Sequence, residues 1–143
     1  MQHFEDLEVG SKISFGRYEV TRDEVTEFAS KYDPQAFHLD DEAAAKTHFG
    51  RLSASGWHTC AMVMRMLVGN MGAREQAGLG GIGVDELRWL KPVHPGDVLR
   101  VESGLLSLCT AYVLLMRRTN EGKVASAGLK AHRAAQGCCR VRP

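Results

Sequence analysis

The run from Ser55 to Gly69, Ser-Gly-Trp-His-Thr-Cys-Ala-Met-Val-Met-Arg-Met-Leu-Val-Gly, contains no carboxylate and one full charge, Arg65. A helix that is apolar nearly all round gains nothing from facing water and is normally wrapped by the rest of its domain. The sequence therefore predicts a buried central helix here. The small residues Ser53, Ala54, Ser55 and Gly56 lead into it, and Gly69 and Gly72 offer its stop. At about 1.5 Å per residue it spans roughly 20 Å, too short for a bilayer, so a transmembrane reading fails.

The first backbone N–H groups of such a helix lack internal partners and carry partial positive charge. A glycine at that end lets a ligand come close, and an oxyanion could sit against the Gly56 N–H with Ser55 beside it. The plainer alternative is that Gly56 relieves crowding where the helix begins.

Upstream, Gly10-Ser11 reads as a turn and Lys12 to Val20 as a first strand with an irregularity at Gly16. Thr21-Arg22-Asp23-Glu24 has the form of a capping box, followed by Val25, Phe28, Ala29 and Tyr32 at the spacing of one helix face. Pro34 ends that helix. Asp40 caps a second short helix carrying Asp41 and Glu42 in its first turn and Lys46 and His48 in its last, with Gly50 closing it. The loop from Asp33 to Asp40 is thereby clamped between helices, and a clamped loop can hold reactive side chains in fixed relation.

Gly78, Gly80 and Gly83 match a G-x-G-x-x-G spacing. A dinucleotide fingerprint needs a strand before it and a helix after it, and here the order is reversed. Gly72 to Gly83 reads instead as a flexible connection back to a sheet. Val84 to Lys91, Val98 to Leu108, Tyr112 to Thr119 and Lys123 to Arg133 read as strands. Pro95-Gly96 has the form of a type II turn. The unbroken Val113-Leu114-Leu115-Met116 suggests a strand buried on both faces. One long helix, smaller helical pieces before it and an antiparallel sheet of about five strands make an α+β domain, with the helix packed on a curled sheet.

The length of 143 residues suits one domain, placed at 1–134, with an irregular tail at 135–143. A net charge of +1 with scattered basic residues gives no footprint for nucleic acid. The start, Met1-Gln2-His3-Phe4-Glu5-Asp6, lacks a signal pattern, so a cytoplasmic protein with no membrane partner is expected. Cys60, Cys109, Cys138 and Cys139 do not form a disulfide ladder. The adjacent Cys138-Cys139 lack zinc spacing, so no metal is expected.

Asp33-Pro-Gln-Ala-Phe-His38-Leu-Asp40, Ser55-Gly56-Trp57-His58-Thr59 and Leu87-Arg-Trp-Leu-Lys-Pro-Val-His-Pro-Gly-Asp97, in this order and at these separations, resemble the MaoC-like dehydratase family. That family includes the (R)-specific enoyl-CoA hydratases, and the likeness runs from about Phe4 to about Glu102. It implies a hotdog fold, a curved antiparallel sheet wrapped around a central helix. It also implies a catalytic dyad at Asp33 and His38, and an oxyanion donor at the Gly56 N–H. The activity implied is reversible syn addition of water to a trans-2-enoyl-CoA, giving a 3-hydroxyacyl-CoA. Coenzyme A is then part of the substrate and no separate cofactor is expected. A homodimer or larger homo-oligomer is implied too. Two departures concern substrate contacts: Met64 stands where some hydratases place a serine, and the Cys109-Thr110 link is short.

Taken alone, Asp33 before proline is a common helix terminator, and a histidine near a helix start is often a capping residue. Two competing functions share the fold: a hotdog acyl-CoA thioesterase and a non-catalytic acyl-CoA binding module. Thioesterases of this fold commonly use an acidic residue in or beside the central helix, and Trp57 to Val68 has none. His58 and Arg65, seven apart on the helix, are set aside as polar groups of its core or of an interface.

Overall fold

The computed structural model describes residues 8–72, 81–107, 111–118 and 122–131. Along the chain these form β1 (Lys12–Glu19), α1 (Arg22–Tyr32), α2 (Ala36–Leu39), α3 (Asp41–Ala45), α4 (Gly56–Gly72), β2 (Gly81–Trp89), β3 (Val98–Ser107), β4 (Ala111–Arg118) and β5 (Gly122–Ala131). The strands make one sheet in the order β1-β3-β4-β5-β2, with every pairing antiparallel. This sheet with the long helix α4 is the expected α+β hotdog architecture. Among the described residues no helix is long and apolar enough to cross a membrane.

The core lies between α4, α1 and the β1–β3 end of the sheet. It gathers Val20, Val25, Leu52, Met62, Met66, Val93, Leu99 and Val101, with Phe15 and Tyr18 packed against it. Met62 and Met66 sit one turn apart, so they share the face that α4 turns inward. At Gly16 the β1–β3 register shifts, and the backbone adopts φ +74°. A Cβ there would come within 2.6 Å of Met66 Sδ. The irregularity read at Gly16 is thus a bulge that lets helix and strand approach closely.

One expectation is corrected. The central helix is not buried all round: Trp57, Met64 and Val68 are 61%, 51% and 59% exposed. The sheet and α1 cover one side of α4, and among the described residues none covers the other.

Local signals gave mostly the structures their chemistry demands. Thr21 caps α1 by accepting from the Glu24 N–H, but the reciprocal half of the box is redirected. The Glu24 carboxylate accepts the Tyr18 and Thr21 hydroxyls instead, tying the helix start to β1. Asp40 accepts from the Ala43 N–H and caps α3, which stops at Ala45, before Lys46 and His48. Gly96 has φ +89° and the Asp97 N–H donates to the His94 carbonyl, as a type II turn at Pro95-Gly96 requires. Gly81 to Gly83 belong to β2 rather than to the preceding connection. Residues 73–80, the chain start, Cys109, the tail with Cys138 and Cys139, and the burial of the β4 and β5 side chains lie outside the described residues.

Candidate functional site

Asp33 stands at the C-terminal cap of α1, where its N–H donates to the Ala29 carbonyl at 3.0 Å. The chain turns sharply at Pro34, and 36–39, read as loop, forms the single helical turn α2. That turn carries His38 back toward Asp33. His38 is 5% exposed and is packed against Phe37, with ring centroids 4.6 Å apart. An ion pair between Arg22 and Asp41, made through two N–H···O contacts, ties α1 to α3 on either side of the turn.

Three side chains converge. The Ser55 hydroxyl donates to Asp33 Oδ2 at 2.6 Å, and Gln35 Nε2 donates to Asp33 Oδ1 at 2.7 Å. His38 Nε2 lies 3.5 Å from Asp33 Oδ2. The other imidazole nitrogen, Nδ1, is 2.7 Å from the Ser53 carbonyl oxygen. A carbonyl only accepts, so this network assigns the proton of neutral His38 to Nδ1 and leaves the Nε2 lone pair facing the carboxylate. Two acceptors this close are satisfied by a shared proton donor, either a proton on Nε2 itself or a hydroxyl that reaches both.

The Ser55 hydroxyl, followed by the Gln35 amide and by the charge His38 carries when protonated, holds the Asp33 carboxyl below the usual carboxylate range, although burial pushes the other way. The anion is favoured because its lone pairs are occupied by donors.

Ser55 has a second task. Its Oγ accepts from the Trp57 N–H at 3.2 Å, which makes it the N-cap of α4. Its hydroxyl proton is therefore committed to Asp33 and its lone pair to the helix. Gly56 follows as the first helical residue, where the helix offers its N–H no acceptor. The flank of Gly56 is not open: a Cβ there would lie 2.5 Å from Trp89 Cε2, and the Trp89 indole N–H donates to the Gly56 carbonyl at 3.0 Å. Relief of crowding, the plainer reading of this glycine, has a named cause in the Trp89 ring.

Sequence reasoning missed His94. Its Nδ1 lies 2.8 Å from the Leu52 carbonyl, and the Ala54 N–H donates to the Val93 carbonyl at 2.7 Å. The carbonyls of Leu52 and Ser53, consecutive in the segment that leads into α4, are thus each held by a buried histidine. The signal available was the Val93-His94-Pro95-Gly96-Asp97 turn, in which Asp97 Oδ2 accepts the His94 N–H. His58 is buried and stacks on Phe28 with centroids 4.7 Å apart, whereas Arg65 is exposed, so the two do not share an environment. Met64 points outward on the uncovered side of α4.

Residues 6–110 match the family model described as a MaoC like domain. Among solved structures, the chain is similar to a MaoC-like dehydratase from Rhodospirillum rubrum, at 36% identity and a TM-score of 0.79, over 89% of this chain and 92% of that one. An (R)-hydratase from Pseudomonas aeruginosa shares the fold at 24% identity and a TM-score of 0.65, over 97% of this chain and 96% of the other. Among curated sequences, a 3-hydroxybutyryl-CoA dehydratase from Methylorubrum extorquens is 32% identical over 70% of this chain and 61% of its own length.

Proposed function

The chain belongs to the MaoC-like dehydratase domain family, and from that premise we propose that it is a cytoplasmic hydratase/dehydratase of acyl-CoA thioesters, adding water reversibly and syn to a trans-2-enoyl-CoA to give the 3-hydroxyacyl-CoA. The observation that carries the reading is the pairing of Asp33 Oδ2 with His38 Nε2 at 3.5 Å, with Ser55 and Gln35 donating to the carboxylate and the Ser53 carbonyl orienting the imidazole. The similar 3-hydroxybutyryl-CoA dehydratase adds weight to the substrate class.

In this mechanism one water donates a hydrogen bond to Asp33 Oδ2 and another to His38 Nε2. As the water oxygen bonds to C3 of the enoyl group, the C2–C3 π electrons move toward the thioester and its oxygen becomes an enolate. His38 Nε2 takes the water proton, and the nearby Asp33 anion stabilises the imidazolium. The enolate oxygen sits against the Gly56 N–H at the positive end of α4. The imidazolium then returns its proton to C2 from the face where oxygen entered, which makes the addition syn and regenerates neutral His38. In reverse the same groups dehydrate the hydroxyacyl thioester. Asp33, His38 and Gly56 are the groups that would meet reactants, and Ser55 and Gln35 orient Asp33. Coenzyme A is bound as part of the substrate, without a further cofactor.

The uncovered apolar side of α4, with Trp57, Met64 and Val68, supports a homodimer in which a second copy covers it.

Incubating the purified protein with crotonyl-CoA and with butyryl-CoA tests the assignment. Loss of the conjugated enoyl absorbance without release of free thiol is expected. Thiol release from butyryl-CoA would make it a thioesterase, and tight binding of either ligand with no turnover would make it a binding module; either result overturns the hydratase assignment.

A further inference from the structure

Trp89, at the end of β2, lies against the first residue of α4. Three atoms of its indole, Cε2, Cδ2 and Nε1, stand within 2.8 Å of the point where a Cβ on Gly56 would be, and its N–H donates to the Gly56 carbonyl. Trp57 meets the same ring edge-on, with centroids 5.6 Å apart. Burial raises the pKa of the Cys60 thiol, one turn further along α4, while the Trp89 N–H acts in the opposite direction. Trp89 is 47% exposed, so one side of the ring faces outward while the other covers the helix start.

We propose that Trp89 is a positioning residue for the oxyanion amide, and that position 56 is glycine because the Trp89 ring occupies the side-chain space there. The inference rests on the hydratase reading for the role of the amide, but the coupling between the two residues stands apart from it. The ring closes the flank of Gly56, leaves its N–H to be approached from the end of the helix, and keeps water from that flank. A donor shielded from water stabilises developing charge more strongly than one that is hydrated. The indole N–H fixes the ring by bonding the carbonyl of the residue it covers, so cover and amide keep one geometry.

The test is a double-mutant cycle of Gly56→Ala and Trp89→Ala with Trp89→Phe as the conservative variant, read by crotonyl-CoA hydration kinetics and by thermal midpoint. Trp89→Ala is expected to lower kcat about tenfold while KM changes less than about threefold, because the amide acts on the transition state. Trp89→Phe keeps a ring over the flank and should retain kcat within about threefold of wild type. Gly56→Ala should lower both kcat and the midpoint, and the double variant should return to the values of Trp89→Ala alone, since the clash has gone. Additive losses in the double variant, in kcat and in midpoint, would show that glycine is required by the ligand and overturn the inference. Thermal coupling in a protein that hydrates no enoyl-CoA would sink the hydratase reading and the oxyanion role while leaving the steric pairing; turnover without coupling would sink the pairing alone.

Discussion

The hydroxyl of Ser55 donates to Asp33 Oδ2 at 2.6 Å while its oxygen accepts the Trp57 N–H at 3.2 Å. One side chain thus joins the carboxylate of Asp33 to the first turn of α4. The consequence is mechanical as well as electrostatic. Movement of α4 relative to α1 would break the Ser55–Asp33 bond while the cap moved with α4, so that one bond holds Asp33 and the Gly56 amide in one frame.

Ser55→Ala removes both bonds. Loss of the cap should lower stability by about 1 kcal/mol, measurable by urea unfolding. Loss of the largest influence holding Asp33 down should raise its pKa toward the ordinary carboxylate value. The acidic limb of the kcat/KM profile assigned to Asp33 then moves to higher pH in the variant. A variant with an unshifted acidic limb would show that Ser55 only caps the helix.

Asp33→Asn and His38→Ala should each lower crotonyl-CoA hydration by on the order of a hundredfold or more, since the first removes the carboxylate charge that stabilises the imidazolium and the second removes the base. Full activity in either folded variant removes the mechanism. Asp33 also leaves a stability signature. Its folded pKa is depressed, so its contribution is complete above the unfolded value of about 3.9 and is lost as pH falls through the folded value. Chemical unfolding from pH 7 to pH 3 should show a steeper loss below about pH 4 in wild type than in Asp33→Asn.

The parts of this architecture written locally were legible in the sequence. Thr21 and Asp40 announce helix starts through their own hydrogen bonds, Pro34 ends a helix by its ring, and Gly16 and Gly96 mark backbone that other residues resist. What stayed hidden depends on partners distant along the chain. Glu24 turned from its expected backbone partner to Tyr18 because β1 lies beside α1. The turn at 93–97 marked His94 as held but not that its ring reaches the Leu52 carbonyl, and nothing near Gly56 foretold that Trp89 fills its flank. The composition of α4 overstated its burial, because apolar residues on both sides of a helix do not say whether the second cover comes from the same chain.

The proposed covering of α4 by a second copy can be tested directly. Met64 and Val68 lie one turn apart on the uncovered side of α4, 51% and 59% exposed. Replacing both with lysine should leave the folded chain intact, since neither contributes to its core. If a second copy docks there, burying two ammonium groups opposes association, and sedimentation should show a shift from dimer to monomer. An unchanged dimer would place the interface elsewhere on the molecule.

His58 takes no part in the proposed reaction. Its ring is 5% exposed and stacks on Phe28 at an interplanar angle of 9°, and its Nδ1 is buried with no hydrogen-bond partner among the described residues. Burial lowers its pKa, and the Glu24 charge offsets this only in part. A histidine whose folded pKa is depressed stabilises the fold fully above its unfolded value of about 6.5 and loses that contribution as pH falls through the folded value. Stability should therefore decline as pH is lowered from 7 toward 5, as the buried ring is forced to take a proton between α1 and α4. His58→Phe keeps an aromatic face for Phe28 and removes both the titration and the unpartnered nitrogen. Its unfolding free energy should be flatter than wild type over that interval; an identical slope in the two proteins would assign the pH dependence to other groups.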